Sequence, residues 1–412
     1  MEKRLLSVLF IVAPMAFMSL CFSSCEDNFV KVDRTETKEE SKKKYSVENI
    51  TVEHPQQVRG FMVQSAHTLS KSTLVDAKAW GINVIRLQLN PVTYALAQNK
   101  DFWDALPDYT EIVKTKVLEA KEVGVKVVLD LHEPPFLVNG KVPSSTYQGT
   151  DEFWNQTGLK GNFIRMWEAI ALALSDDVYN DAVWGYDLFN EPQINWSAAP
   201  QQWISMSPDI IAAIRAIDKD VWIVYQPGGN TSTFNTLQPL EDSRVVYSVH
   251  FYAPHSFTHQ GIETAYSSAT MTRGEAMEQI NKQYPGIING RYWDKQVLEA
   301  NLRPFSDFVE KHQVPGYIGE FSVVTWAPVT SSVAWLTDAI QIFEEHNFSW
   351  CYHAFREWQG WSLEQPEGAE AFWFQRESIP APATEETERG KVVKAALGRN
   401  NQTSTGITPV LK

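Results

Sequence analysis

From Val58 onward the chain alternates between two apolar patterns. Short runs rich in Val, Ile and Leu stop abruptly at polar or proline-containing segments and predict strands at Val58–Gln64, Asn83–Leu89, Val125–Leu131, Val183–Phe189, Val221–Gln226, Val245–Phe251, Tyr317–Glu320 and Ser349–Phe355. Between them, apolar residues recur at helical spacing over Ser72–Trp80, Asp108–Val123, Gly161–Ser175, Pro208–Ile217, Asp294–Lys311 and Ser332–His346, with a last helix near Glu386–Leu397. The connection after the fifth strand is short, and its helix is the least clearly marked. Eight strands alternating with helices predict the α/β class, as a closed (β/α)8 TIM barrel in one domain. An open doubly wound sheet is the alternative, but its glycine-rich first turn is missing.

The strand exits carry the chemistry. Polar and aromatic residues gather at His132-Glu133-Pro134-Pro135, Asn190-Glu191-Pro192, His250-Phe251-Tyr252, Glu320 and Arg356-Glu357-Trp358, and in a barrel all these ends converge on one face. Two of the runs deliver a carboxylate at their tip: Val183–Phe189 leads to Glu191, and Val314–Gly319 leads to Glu320. One such glutamate alone reads as a solvated or salt-bridged strand terminus. A pair is the equipment of glycosidic bond cleavage, in which one acid protonates the leaving oxygen and the other attacks the anomeric carbon. The longest connection, Ala253 to about Trp293, carries Phe257, Tyr266, Tyr284, Tyr292 and Trp293 and is read as a cleft wall.

Composition narrows the partners. The chain has 412 residues, 43% hydrophobic and 12% aromatic, which is ample for one large core. Its 15 tryptophans exceed what a core needs, so some are expected on loops as sugar-stacking faces. A formal charge of −14 argues against nucleic acid, which requires a basic face, and is compatible with a neutral polysaccharide. No metal or cofactor is expected: His132-Glu133 opens like a zinc-protease motif, but Phe136 stands where the second ligand belongs, and no phosphate loop or Gly-x-Ser-x-Gly elbow occurs.

Five motifs, Gly81–Arg86, Leu129–His132, Phe189–Pro192, His250–Tyr252 and Ile318–Glu320, occur in an order that resembles glycoside hydrolase family 5, the cellulase family. The resemblance spans about residues 58–361 and implies that Glu191 is the general acid/base and Glu320 the nucleophile. It implies Arg86 as the cation beside Glu320, Asn190 as a partner of the sugar 2-hydroxyl, Tyr252 on the second oxygen of Glu320, His250 beside Glu191, and His132 in the floor of the sugar site. Asp130 and Asp187 read as buried structural acids. One departure stands out: the family commonly has a tryptophan platform at the end of the last strand, and here His353 falls at that position. Trp358 is the expected replacement and Trp361 the fallback, with Trp350 in the core. The implied activity is that of a retaining β-glycosidase on a β-linked polysaccharide, β-1,4-glucan first; a mannanase, an exo-acting β-glucosidase, or a non-catalytic glycan-binding barrel are the alternatives. A monomer is expected.

The first residues do not belong to this pattern. Lys3 and Arg4 precede an apolar run from Leu5 to Leu20 and then Phe22-Ser23-Ser24-Cys25, which resembles a bacterial lipoprotein signal, cleaved before Cys25 and lipidated there. An ordinary secretory signal is the alternative. Residues 25–44 are charged and nearly free of apolar side chains, as in a flexible tether. The expected organisation is a signal (1–24), a tether (25–44), the catalytic barrel (45–398) and a tail (399–412), with the protein exported and attached to the cell envelope only through its lipid. Of three cysteines, Cys21, Cys25 and Cys351, the last has no partner for a disulfide.

Overall fold

Each run read as a strand from the alternating pattern is a strand of one closed barrel. The computed structural model describes residues 50–195, 197–372 and 380–401. The strands are β1 (Arg59–Val63), β2 (Val84–Leu89), β3 (Lys126–Leu131), β4 (Val183–Asp187), β5 (Trp222–Tyr225) and β6 (Val245–His250), then, after a short hairpin of β7 (Gly286–Ile288) and β8 (Arg291–Trp293), β9 (Gly316–Glu320) and β10 (Ser349–Tyr352). All barrel neighbours are parallel, β9 follows β6, and β10 closes on β1, so the fold is a (β/α)8 barrel.

The two faces of the strands differ as a period of two requires. One set (Ile85, Leu87, Leu89, Val127, Leu129, Leu131) packs outward against the helices. The other fills the lower barrel with Val84, Val128, Trp184, Val224, Val246, Tyr317 and Cys351. Two residues further along β2, β3, β5 and β6 the interior turns polar at Arg86, Asp130, Gln226 and Ser248, all buried. The barrel therefore has an apolar floor and a charged upper layer, and the latter lies towards the C-terminal strand ends.

Several helix boundaries differ from expectation. The second expected helix starts at Phe102, not Asp108, and the fourth at Gln201, not Pro208; both run through a proline. Asp101 caps the former, and Phe102, Ala105, Leu106 and Tyr109 continue its buried stripe, which outweighs the one backbone bond that Pro107 forfeits. After β5 there is only a 3-10 turn, Thr231–Asn235. The connection read as a cleft wall folds into short helices at His255–Thr258 and Arg273–Gln279 and the β7–β8 hairpin, and it spends Phe257 and Tyr284 on packing, leaving Tyr292 exposed. Most tryptophans are core residues too, including Trp154, Trp167, Trp203, Trp326, Trp335 and Trp350. After the helix Glu388–Leu397 comes a 3-10 turn, Gly398–Asn401, in which Asn400 donates to the carbonyls of Arg59 and Gly81. The segments expected as signal (1–24) and tether (25–44), with Cys25, lie outside the described residues. Cys351 is buried and free.

Candidate active site

Arg86 is the hub of the upper layer. Two positions above Val84 on β2, it is fully buried and each arm of its guanidinium meets an acceptor. Nε donates to Asp187 (2.9 Å), Nη2 to Asp130 (2.8 Å) and to Asn190 Oδ1 (3.0 Å), and Nη1 to Glu320 Oε1 (2.6 Å). One cation among three buried carboxylates leaves excess negative charge to be relieved by other donors. His132 Nδ1 lies 2.7 Å from the second oxygen of Asp130, which raises the imidazole's proton affinity against the opposing effect of burial. Burial pushes Asp187 up to about 6, opposed by Arg86, and the amide of Gln226 donates to it.

Glu320 reaches this layer through a bulge. Tyr317 faces the barrel interior, so simple alternation would turn Glu320, three residues on, outward. The register between β6 and β9 shifts so that Val249 pairs with Ile318 but His250 with Glu320, and the extra residue, Gly319, re-aims the glutamate inward. Gly319 also makes room for a neighbour: a Cβ there would lie 2.9 Å from His250 Nε2. Both oxygens of Glu320 are clamped, Oε1 by Arg86 and Oε2 by the Tyr252 hydroxyl at 2.9 Å. Burial alone would favour its protonated form, but His250, His353 and Arg86 outweigh it and hold the carboxyl well below the usual range.

Glu191 is built differently. It lies beyond the end of β4 in a left-handed conformation (φ 46°). The backbone N–H of Asn190 donates to Leu131 O at 2.9 Å, and that of Glu191 reaches the Gln226 side chain at 3.3 Å. The loop after β5 braces the turn, since Gly229 N–H donates to Pro192 O at 3.0 Å. Gly228 (φ 90°) comes so close to that carbonyl that a Cβ would sit 1.9 Å from it. The Glu191 side chain is 44% exposed, and among the described residues its side-chain partner is His250 Nδ1, at 2.7 Å. One oxygen of Glu191 and one of Glu320 lie within 4.8 Å of each other. That is less than the ~6.5–9.5 Å an inverting pair leaves for water. Glu191, His250 and Glu320 converge closely enough to suggest a cation site, but His250 Nδ1 is engaged by Glu191 and both Glu320 oxygens by donors, so we read an acid–base constellation and not a ligand set.

The end of β10 completes the site. His353 Nδ1 lies 2.6 Å from the Tyr252 hydroxyl and 3.2 Å from Glu320 Oε2. Trp361 is buried beside these two, 6.3 Å from the Tyr252 ring and 5.7 Å from His353. Trp358 stands one layer further out, half-buried against Trp361, Tyr266 and Trp326. Thus Arg86, His132, Asn190, Glu191, His250, Tyr252, Glu320 and His353 form one bonded network with Trp361 against it, whereas the ring contacts of Trp358 are with Trp361, Tyr266 and Trp326. Gln226 and Glu357 join the site without having been singled out for it. Both sit at strand exits, where Gln226 follows β5 and Glu357 lies four residues beyond His353; position was their only signal.

Two carboxylates this close, one held ionised and the other left with one histidine, suit hydrolysis of a glycosidic bond with retention, and the enzyme class is that of the glycoside hydrolases. Comparison with known proteins narrows the class: the chain belongs to the cellulase family, glycosyl hydrolase family 5, whose model matches residues 44–358. Endoglucanase C of Acetivibrio thermocellus is 27% identical over 242 residues, covering 55% of this chain and 67% of that protein. Cellodextrinase A of Ruminococcus flavefaciens is 29% identical over 280 residues, covering 66% of this chain and 73% of the relative. Among solved structures, Thermotoga maritima Cel5A in complex with cellobiose superposes with a TM-score of 0.59 at 20% identity, covering 83% of this chain and 97% of that one.

Proposed function

We propose that the protein cleaves β-1,4-linked glucan internally by double displacement, with Glu320 as nucleophile and Glu191 as general acid/base. The observation that carries this reading is the unequal treatment of two adjacent carboxylates. Glu320, clamped by Arg86 and Tyr252, is prepared to attack as an anion. Glu191, exposed and in contact with His250, can hold a proton and give it to the leaving oxygen. Glu320 then carries the sugar as an ester, and Glu191, now a carboxylate, takes a proton from the water that releases it. Asn190 accepts from Arg86 through Oδ1, which leaves its NH2 to donate to the sugar 2-hydroxyl. His132 forms part of the floor, and Trp358 offers the stacking face. The relatives named endoglucanase and cellodextrinase support glucan as the substrate.

An NMR time course on cello-oligosaccharides tests substrate and stereochemistry together. The β-anomer should appear first; if the α-anomer leads, double displacement is wrong, and if only manno-oligosaccharides are cut, the glucan assignment is.

Export and lipid attachment at Cys25 complete the proposal, supported by the apolar run that ends at Phe22-Ser23-Ser24-Cys25. Cys25→Ser should move the protein out of the membrane fraction; unchanged fractionation would place the anchor elsewhere.

A further inference from the structure

The double displacement leaves one part of the site without a task. His353 stands between two carboxylates, Glu320 on its Nδ1 side and Glu357 on its Nε2 side, with Nε2 3.6 Å from Glu357 Oε2. The Tyr252 hydroxyl donates its only hydrogen to Glu320, so towards His353 that oxygen can only accept, and the imidazole must carry hydrogen on Nδ1. Glu357 is likewise an acceptor and calls for hydrogen on Nε2. Both ring nitrogens thus face acceptors, Nδ1 at hydrogen-bond distance and Nε2 at ion-pair distance, an arrangement that suits the imidazolium better than the neutral ring with its one hydrogen.

We propose that His353 is a protonated positioning residue for Glu320, and that Glu357 is the counter-ion that keeps it protonated throughout the catalytic cycle. The inference rests on reading Glu320 as the nucleophile. The charges around His353 agree with it. Burial lowers the proton affinity of the ring, but Glu320 and Glu357 outweigh burial and raise its pKa to about 10. Burial likewise opposes ionisation of Glu357, and His353 outweighs that, drawing its pKa below the ordinary value. The other groups facing the cluster leave the role to His353. Arg86 occupies the opposite oxygen of Glu320, and His250 lies 3.5 Å from Oε2 while bonded to Glu191. His132, from the end of β3, faces Glu357. His259 is buried near His255 and His353 and pushed down to about 2, so it carries no charge.

The purpose of a second carboxylate lies in the intermediate. Once Glu320 is an ester its charge is gone, and a buried imidazolium with no other partner would lose its proton. Glu357 still carries charge at that stage. The cation is then in place when Glu320 must depart as a carboxylate, and the second half-reaction gains a better leaving group.

The test uses 2,4-dinitrophenyl β-cellobioside, whose good leaving group makes breakdown of the intermediate the slow step. In H353Q, Glu320 loses a cation, and the acid limb of kcat/KM should move up by about one pH unit or more. In E357Q, an isosteric change at a part-exposed side chain, kcat should fall about tenfold with KM falling in parallel, kcat/KM should stay within about twofold, and intact mass should show accumulated glycosyl-enzyme. E357D should recover much of kcat. If the acid limb of H353Q is unmoved, or E357Q turns over like wild type, the inference is overturned. Circular dichroism separates these results from misfolding, and E357Q remains a test if H353Q does not fold. A 2-deoxy-2-fluoro glycoside separates the two levels of argument. Labelling of wild type at a residue other than Glu320 overturns the nucleophile assignment and this inference together. Labelling at Glu320 with an unmoved acid limb overturns this inference alone.

Discussion

The ends of β4 and β9 look alike in sequence, each an apolar run leading to a glutamate, yet the two glutamates are held in opposite ways. Glu320 is drawn into the barrel by a bulge at Gly319, is nearly inaccessible, and has each oxygen fixed by a separate donor. Glu191 lies past its strand on a left-handed residue, half in solvent, with one histidine to orient it. A nucleophile must reach one atom along one line and stay ionised while buried, so it needs bonds that fix direction and cations that offset desolvation. A group that exchanges protons with the leaving oxygen and later with water needs access to both, and a less constrained carboxyl provides it. Strand pattern brings a carboxylate to the rim; the backbone after it decides what the carboxylate can do.

Replacing Glu320 should break this contrast most severely. Glu320→Gln keeps size, and its amide oxygen can still accept from Arg86 while its NH2 faces the Tyr252 oxygen as a donor, so the fold should survive, but no anion remains to attack. We expect kcat to fall on the order of 10⁴-fold or more on every substrate, activated or not. A substantial residual rate on an activated aryl glycoside would show that the clamped carboxylate is not the nucleophile.

Glu191→Ala should produce a smaller and conditional loss. On glycan, which needs its leaving oxygen protonated, the rate should drop about 10²–10⁴-fold. A dinitrophenyl leaving group needs no proton, so the first step should persist and the stalled intermediate should accumulate. Azide entering the vacated space should raise turnover and give a β-glycosyl azide. Equal losses on both substrates, with no azide product, would erase the difference in role between the two strand ends.

The same contrast shows what could be read from residues alone. The strand runs and their polar exits were legible because a buried parallel strand is apolar along its whole length and its end is not. Arg86 was placed beside Glu320 by the family resemblance, and the structure shows it fully buried and paired, as a charge amid Val84, Ile85 and Leu87 must be. The bulge was not legible, because register depends on which strand lies alongside, and alternation from Tyr317 would have pointed Glu320 away from the site. Glu357 was passed over for a related reason: its partners, His353 apart, lie on distant strands. The short helices after β6 have too few turns for a periodic signal. The aromatic surplus misled in one respect. Tryptophans that suggested sugar-binding faces mostly pack between barrel and helices, and Trp80, Trp103, Trp222, Trp293 and Trp358 are the ones among the described residues that keep partial exposure.

The smallest effect concerns Trp358, and it sharpens the account of the β10 end. A platform must show a face to the sugar. Trp361 is closer to Tyr252 and His353 but is 7% exposed, whereas Trp358 keeps part of its ring open. The Trp358 ring lies over Gly360, where a Cβ would meet it at 2.2 Å, so that glycine sets the position of the indole. Trp326, Tyr266 and Trp361 support it edge-on. If the exposed face carries a sugar whose ring flattens as the bond breaks, stacking tightens in the transition state, and Trp358→Ala should lower both kcat and kcat/KM. A loss of about tenfold, equivalent to ~1.4 kcal/mol, is expected. Removing the indole also takes packing from Trp361 and Tyr266, so Tm should fall as well, and Trp358→Phe separates the two causes by restoring a flat ring. If Trp358→Ala is less stable yet the folded enzyme keeps wild-type kcat/KM, the residue is a structural support and the sugar face must be sought elsewhere around β10.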